Sequence, residues 1–390
     1  MTWATHNATS FFSAGRSVSE SGPAGSASPP GTPRKSRPAL IRLGVAIRGY
    51  ALDATSEHRV LLAISVAQLV VTWLLCVRAN RPVFVGLADT YEAVDAAILL
   101  AFVGTLGSVL VRVREDGRPV ADAYPSAWRT IRRNIATPQW TASVALLAST
   151  LPLSLALFSS AKRAIPAAVP FTWDRTFDRF GLWLHGGRRA WEWLQPVVGH
   201  PGVTVVLDRY YHLGWSLLAI GIPAVVVVSP RSALRRRFLT AWLLLMLLGG
   251  TIAATILSSA GPPYFSRVVG GADPYAPLRG YLRAVHAAHP LMSVNGRRAL
   301  WSAYLHKADL FGLGISAMPS MHIATTALIA CLAFAISPWL GTVALALVIL
   351  TQVCSVALCW HYAIDGYAGA LVATAVWWLA GRLERVDKVQ

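Results

Sequence analysis

Apolar runs recur along the chain, and each is close to the length of one bilayer crossing. A spanning helix needs ~20 predominantly apolar residues. The runs lie at 60–77, 93–111, 141–160, 211–228, 238–258, 323–339, 341–359 and 366–381. Because lipid offers no hydrogen-bond partners to an open backbone, runs of this kind predict helices. The chain is therefore predicted to be an all-α polytopic membrane protein with about eight transmembrane helices.

The composition agrees with a membrane protein and argues against a nucleic-acid partner. The 390 residues are 55% hydrophobic and 14% charged, with a formal net charge of +17, and the mean hydropathy is +0.50. The basic residues punctuate the apolar runs instead of forming one stripe, so membrane topology and anionic headgroups explain them better than nucleic acid does. The four cysteines lie in apolar segments and are expected to be small buried hydrophobes.

The runs also divide the chain into segments. Residues 1–40 are rich in Ser, Gly and Pro, which predicts a disordered cytoplasmic tail. Residues 41–140 would form two extra transmembrane helices and a basic cytoplasmic loop. Residues 141–382 would form a six-helix catalytic core, and 383–390 a second cytoplasmic tail.

The basic residues predict the orientation, because Lys and Arg are retained on the cytoplasmic side. They are concentrated at 112–133, at 231–237 and at 382–388, and eight crossings put all three clusters and both termini on one side. The long connections 161–210 and 259–322 then lie on the extracytoplasmic face of the cell membrane. The mixture of aromatic and charged residues at 171–195 is typical of a helix lying in the headgroup layer.

Two histidines on that face define the candidate site. His322 and His361 are separated by 38 residues, enough for two crossings with a turn at Ser337-Pro338, so the rings are expected to be neighbours. Asp365 follows one helical turn after His361, where a carboxylate can fix the imidazole tautomer. Two neighbouring imidazoles can take separate roles in phosphoryl transfer: one attacks phosphorus, and the other protonates the departing oxygen. No metal or cofactor is required.

Other residues are predicted to bind the phosphate. A helix starting near Pro319 would present free backbone N–H groups, which makes Ser320 a candidate. Gly312 and Gly314 would let another backbone approach closely. The 259–322 connection adds further candidate substrate-binding residues, namely Tyr264, Arg267, Arg279, Arg283 and Lys307. Asp208, Arg209 and His212, at the edge of the fourth crossing, are expected to be structural or interfacial rather than catalytic.

Each motif alone has a plainer explanation. Pro-Ser-x-His also begins ordinary helices, and His-x-x-x-Asp also serves interfacial hydrogen bonds and metal ions. Their order, spacing and shared membrane side favour catalysis, since buried ionisable groups are costly unless they are used or paired. A transporter or a non-catalytic scaffold, with these charges lining a substrate path, is the rival from another class.

At these residues the chain resembles the type 2 phosphatidic acid phosphatase superfamily. Its second motif ends in Pro-Ser-x-His, like 319–322, and its third ends in His-x-x-x-Asp, like 361–365. The residues around them, and Gly-Pro-Pro-Tyr-Phe at 261–265, are similar to the branch of inositol phosphorylceramide synthases and bacterial inositolphosphotransferase-like proteins. The resemblance covers roughly 172–381. It implies a six-helix core in which His361 forms a phosphohistidine, Asp365 orients it and His322 protonates the leaving group.

Two features of the family pattern have no counterpart. The first motif, Lys-x6-Arg-Pro, is missing, and Cys354-Ser355 stands where the third motif begins with Ser-Arg. Phosphate must therefore meet other cations. The resemblance implies a membrane phosphotransferase that moves a phosphoryl or phosphoinositol-type group between a lipid phosphoester and an acceptor, either inositol or a lipid alcohol. With water as acceptor, the same site would make a lipid phosphate or polyprenyl diphosphate phosphatase.

Overall fold

A computed structural model describes residues 39–115, 137–309 and 312–386. All but the last two residues of the predicted N-terminal tail, most of the predicted basic loop and the last four residues of the chain lie outside the described parts. Within them, the regular elements are helices, with a 3-10 turn at Pro262–Tyr264. The helices are α1 (Ala39–Glu57), α2 (Arg59–Ala79), α3 (Leu87–Glu115), α4 (Pro138–Ala168), α5 (Asp174–Leu184), α6 (Ala190–Val198), α7 (Pro201–Val228), α8 (Ala233–Ile256), α9 (Phe265–Val268), α10 (Ala276–Ala288), α11 (Met292–Leu305), α12 (Met321–Ile336), α13 (Pro338–Ala357) and α14 (Ala363–Val386).

Seven of the described helices are long and apolar enough to cross a membrane, namely α2, α3, α4, α7, α8, α13 and α14. The all-α polytopic prediction is thus confirmed. The eighth predicted crossing, 323–339, corresponds to α12, which is apolar but only 16 residues long. It ends at Ile336, three residues before the end of the predicted run, because Ser337 is extended and Pro338 opens the next helix.

The packing places α12 at the centre of the site-bearing half. α12 and α13 form the predicted antiparallel hairpin, and α14 packs along α12 and α8. Helices α2 and α3 pack against α4, and α3 also packs against α7. Buried side chains from these helices, among them Leu147, Phe238, Leu243, Leu328 and Ala373, form one continuous apolar cluster.

One end of the bundle carries a network of charges. Arg236 lies 3.1 Å from Glu384 near the end of α14, and Arg231 lies 2.8 Å from Glu57 at the end of α1. The 229–237 link and the C-terminal end of α14 therefore share one side, as predicted. His322 and His361 lie at the opposite end, where α12 begins and α14 is about to begin. That this end is extracytoplasmic stays a prediction from the positions of Lys and Arg.

Short helices lie at the histidine end. Helix α5 buries Phe177 and Asp178, whereas Trp183 on the same helix is 72% exposed. Trp193 on α6 is 53% exposed. Large aromatic side chains left outside the fold at a helix end fit the predicted headgroup-layer segment 171–195.

Candidate active site

The hairpin brings the two histidines together. His322 lies in the first turn of α12, and His361 comes two residues before α14. Their ring centroids are 6.2 Å apart, with an angle of 60° between the rings. Reacting atoms meet at about 3–3.5 Å, so two rings at this separation can flank one phosphorus atom. The prediction that the hairpin makes these imidazoles neighbours is confirmed.

The Asp365 carboxylate contacts the Nδ1 side of the His361 ring. Its Oδ2 lies 3.2 Å from Nδ1 of His361 and accepts the backbone N–H of Tyr362 at 3.0 Å. His361 itself precedes the helix, which begins at Ala363, so the pair does not share a helical face as the spacing predicted. An Nδ1–H donated to the carboxylate leaves the Nε2 lone pair free to attack.

The start of α12 differs from the prediction in one respect. The backbone N–H of Ser320 is not free, because it donates to the carbonyl oxygen of Asp365 at 2.9 Å. The Ser320 hydroxyl is fully buried and has no hydrogen-bond partner among the described residues. Ser320 therefore joins the two histidine-bearing segments, and its side chain does not line the cavity that contains the histidines.

Asp174, the first residue of α5, positions the segment around His361. Its carboxylate accepts bonds from Ser259 Oγ, from the backbone N–H groups of Ala260 and Gly261, and from the Tyr362 hydroxyl, at 2.7–2.9 Å. One buried carboxylate thus ties α5 and the 259–261 turn to the residue next to His361. The sequence placed Asp174 in the headgroup-layer helix and gave no sign of this role.

Aromatic side chains from α7 enclose His322. The ring of Tyr211 stacks on the imidazole with 4.4 Å between centroids, and the Trp215 ring lies 4.0 Å away. Trp215 also donates its indole N–H to the carbonyl oxygen of His322 at 3.1 Å. Tyr211 lies in a π-helical turn, Tyr210–Gly214, a local widening that is frequent at functional sites. These contacts fix the plane of the imidazole.

A cavity of about 310 Å3 lies between the histidines and the chain segment 312–317. His322, His361, Tyr211, Trp215 and Trp360 line it, and so does Lys162 of α4. Lys162 is the one lysine or arginine in this lining within the described chain. It has no carboxylate partner there, so its ammonium group is available to an anion.

Sequence reasoning missed Lys162 because the apolar run 141–160 ends before it. The helix continues to Ala168, which carries the lysine to the cavity. Gly314 packs directly on it: a Cβ added at Gly314 would come within 2.6 Å of the backbone carbonyl carbon of Lys162. The predicted close backbone approach is confirmed at Gly314. Gly312 has open space but a φ of +73°, which favours glycine.

The predicted cations lie elsewhere. Arg267, Arg279 and Arg283 line a neighbouring cleft that contains neither histidine. Lys307 lies beside Arg81, which donates to its backbone oxygen, and lines neither of these two cavities. Tyr264 lies in the wall between them.

The polar residues of α7 are mainly structural, as expected. Asp208 is fully buried and accepts the backbone N–H groups of Met292 and Ser293 at 2.7 and 2.9 Å. It therefore caps the first turn of α11. His212 donates its Nδ1–H to the carbonyl oxygen of Asp208 at 2.9 Å, although its ring also lines the cavity.

Membrane-crossing helices around an enclosed pair of imidazoles define a polytopic membrane protein with a histidine-based site. A family model described as "PAP2 superfamily" matches residues 179–379, just over half of the chain. The chain belongs to this superfamily, which identifies a phosphatase- or phosphotransferase-type enzyme of membrane lipids. The match includes both histidines and Asp365, whereas Lys162 and Asp174 precede it. No curated protein and no solved structure matches the chain.

Proposed function

We propose that the protein transfers a phosphoryl or phosphoinositol-type group from a lipid phosphoester to an acceptor alcohol, through a phosphohistidine at His361. The proposal rests on one observation. The imidazoles of His322 and His361 line the same cavity with 6.2 Å between their ring centroids, and Asp365 contacts the His361 ring. Membership of the superfamily supports the reaction class. The inositol acceptor rests on the sequence resemblance alone.

In the first step, Nε2 of His361 attacks phosphorus and the bond from phosphorus to the leaving alkoxide oxygen breaks. Protonated His322 gives its proton to that oxygen, which departs as an alcohol. Asp365 stabilises the positive charge that develops on the His361 ring, since its carboxylate lies 3.2 Å from Nδ1.

In the second step, neutral His322 takes the proton of the acceptor hydroxyl. The acceptor oxygen attacks phosphorus, the bond from phosphorus to Nε2 breaks, and His361 is regenerated. His322 ends the cycle protonated and ready for another leaving group. One imidazole held by stacking on Tyr211 serves as acid and then as base.

Lys162 supplies positive charge for the phosphoryl oxygens, in place of the missing family cations. Negative charge grows on these oxygens or redistributes among them during transfer. A cation in a partly enclosed cavity stabilises that charge more than a cation in bulk water would.

Hydrolysis is the second candidate function, because water can occupy the acceptor position. A cavity of about 310 Å3 has ample room for water beside a phosphate group, since one water occupies ~30 Å3. The protein would then be a lipid phosphate or polyprenyl diphosphate phosphatase with the same first step.

Product analysis separates these functions. Purified protein in lipid vesicles is incubated with a phospholipid donor, with and without inositol. With phosphatidic acid as the donor, diacylglycerol and inositol phosphate formed only when inositol is present support transfer, and free phosphate in both reactions supports hydrolysis. Flux of unchanged substrate across the vesicle membrane, insensitive to vanadate, would instead identify a transporter.

A matched pair of histidine substitutions tests the nucleophile. His361→Ala should abolish both transfer and hydrolysis. His289→Ala removes an exposed histidine at the end of α10 and should leave turnover unchanged. Normal turnover by the first variant would overturn the assignment of His361.

A further inference from the structure

A second cavity of about 490 Å3 lies beside the catalytic one. Basic side chains form much of its wall, and no carboxylate of the described chain lines it. The basic residues are Arg267, Arg279, Arg283, Arg297, Arg298 and His306. This cavity is called the arginine cleft below.

A thin wall separates the arginine cleft from the histidines. Pro263 and Tyr264 line both cavities. Tyr264 donates its hydroxyl to the carbonyl oxygen of Arg297 at 2.8 Å, and its ring stacks on Trp301 with 5.0 Å between centroids. Neither His322 nor His361 lines the cleft. A group bound there would be a neighbour of the reacting phosphate and not the reacting phosphate itself.

Most of the positive charge in the cleft is not neutralised by the protein. Arg279 forms an ion pair with Asp273. Arg267 lies over the Trp301 ring, 4.6 Å from its centroid. Arg283 and Arg298 are exposed, and no ion pair involves either of them within the described chain.

Among the basic residues of the cleft, Arg297 gives the strongest indication that an anion binds there. The residue is only 8% exposed. Its guanidinium carbon lies over the Trp360 ring, 5.7 Å from the ring centroid, and the guanidinium donates to the carbonyl oxygen of Leu358. It has no carboxylate partner in the described parts of the chain. A buried charge of this kind is costly unless something pairs with it, and an anion in the cleft would provide the missing partner.

We propose that the arginine cleft binds a second phosphate ester, distinct from the one that reacts at His361. Guanidinium groups bind phosphate oxygens in bidentate fashion. The half-buried ring of Trp301 adds an apolar surface beside the charge, suited to the carbon skeleton of a polyol or glycerol ester. The phosphate would belong either to a soluble ester or to the headgroup of a neighbouring lipid. Binding at this site does not depend on turnover.

The test measures binding of glycerol 3-phosphate by calorimetry. The full chain is used in nanodiscs of phosphatidylcholine, with His361→Ala present throughout so that no turnover contributes heat. Arg283→Gln/Arg298→Gln should raise the Kd at least about tenfold, since each substitution removes charge-assisted hydrogen bonds. Arg283→Lys/Arg298→Lys keeps the charge but loses the bidentate geometry, so it should recover part of the affinity, which also shows that the site is folded.

The matched control is Arg175→Gln/Arg179→Gln, two exposed arginines of α5, and it should leave the Kd unchanged. An unchanged Kd in the Arg283→Gln/Arg298→Gln protein would overturn the proposal. So would the absence of binding in the parent protein, or loss of binding in Lys162→Gln alone, which would place the ester in the catalytic cavity.

A second set of nanodiscs identifies the source of the phosphate. If phosphatidylglycerol discs suppress binding of glycerol 3-phosphate, and Arg283→Gln/Arg298→Gln weakens it in neutral discs, the cleft takes lipid headgroups. Equal binding in both discs, with the same sensitivity to the substitutions, assigns the cleft to a soluble ester.

Discussion

Ser320 donates its backbone N–H to the carbonyl oxygen of Asp365 at 2.9 Å, which ties the start of α12 to the first turn of α14. The Asp365 side chain in turn lies 3.2 Å from Nδ1 of His361. Gly369, one turn further along α14, packs at the same point: an added Cβ would lie 2.5 Å from the Ser320 oxygen. Backbone contacts between α12 and α14 therefore set the separation of the two imidazoles.

Substituting Gly369 by Ala should push α14 away from α12. Overpacking of this kind costs about 1–3 kcal/mol, and a shift near 1 Å in an active site can lower the rate by about 10²-fold. We expect kcat to fall by roughly that factor, with a lower unfolding temperature. Gly221→Ala is the control, because nothing lies within 4 Å of its added Cβ. Equal kcat in both variants would show that this contact does not position the histidines.

Substituting Asp365 by Asn should lower kcat by about 10²- to 10⁴-fold. An amide cannot stabilise the imidazolium charge and can favour the wrong tautomer of His361. The measurement is kcat in detergent or vesicles. Glu192→Gln, which removes a carboxylate at the same end of the bundle, is the control and should keep the parent kcat. Retention of wild-type kcat by Asp365→Asn would exclude a role for the carboxylate in turnover.

Substituting Lys162 by Gln should lower kcat/KM by about 10- to 100-fold, because charge-assisted hydrogen bonds contribute about 1.5–3 kcal/mol. Lys162→Arg keeps the charge and should recover part of the loss. The comparison is made at several salt concentrations with one lipid phosphate. If neither variant differs from the parent, phosphate is bound by other cations.

A pH-dependent stability difference should arise at His58, which lies outside the spans. Burial lowers the pKa of His58 to about 3, and nearby positive charges act in the same direction. Those charges belong to Arg231, Arg235 and Arg236. The buried ring lies 2.7 Å from Ser143 Oγ through Nε2, a contact that suits the neutral form.

The unfolded chain takes up this proton as the pH falls through 6.5, whereas the folded chain stays neutral down to about pH 3. Stability is therefore lost as the pH falls below 6.5. This group alone should make the folded state about 1 kcal/mol less stable near pH 5.5 than near pH 7.5. His58→Gln should remove that component from the pH dependence of the unfolding temperature. Identical pH profiles for the two proteins would contradict a buried neutral His58.

Much of this site could be predicted from the sequence. The 38-residue spacing with Ser337-Pro338 near its middle determined the hairpin, because two crossings must return the chain to its starting face. From the hairpin, the proximity of His322 and His361 could be predicted. The position of Asp365, four residues after His361, predicted the contact between them. The same pattern placed the end of α12 three residues too late, since an apolar run shows composition and not where a helix ends.

The phosphate-binding cations could not be predicted in this way. Lys162 belongs to a helix far from the histidines in sequence. Contacts between α4 and the segment before α12, among them the packing of Gly314 on Lys162 and the bond from the Gly312 N–H to Ser159 Oγ, bring it to the cavity. The arginines of the 259–322 connection were close in sequence to the site, but Pro263 and Tyr264 separate them from the catalytic cavity. Sequence proximity does not indicate on which side of such a wall a side chain lies.

The most direct test of the account is to trap phosphate on His361. An activated aryl phosphate substrate, labelled at phosphorus, needs no acid for its leaving group, so His322→Ala should still form the phosphoenzyme but release it slowly. Rapid quenching in base followed by peptide mass spectrometry should locate an acid-labile phosphate on His361 and none in the His361→Ala protein. Label on another residue, or turnover with no labelled protein at any time, would contradict a phosphohistidine at this position.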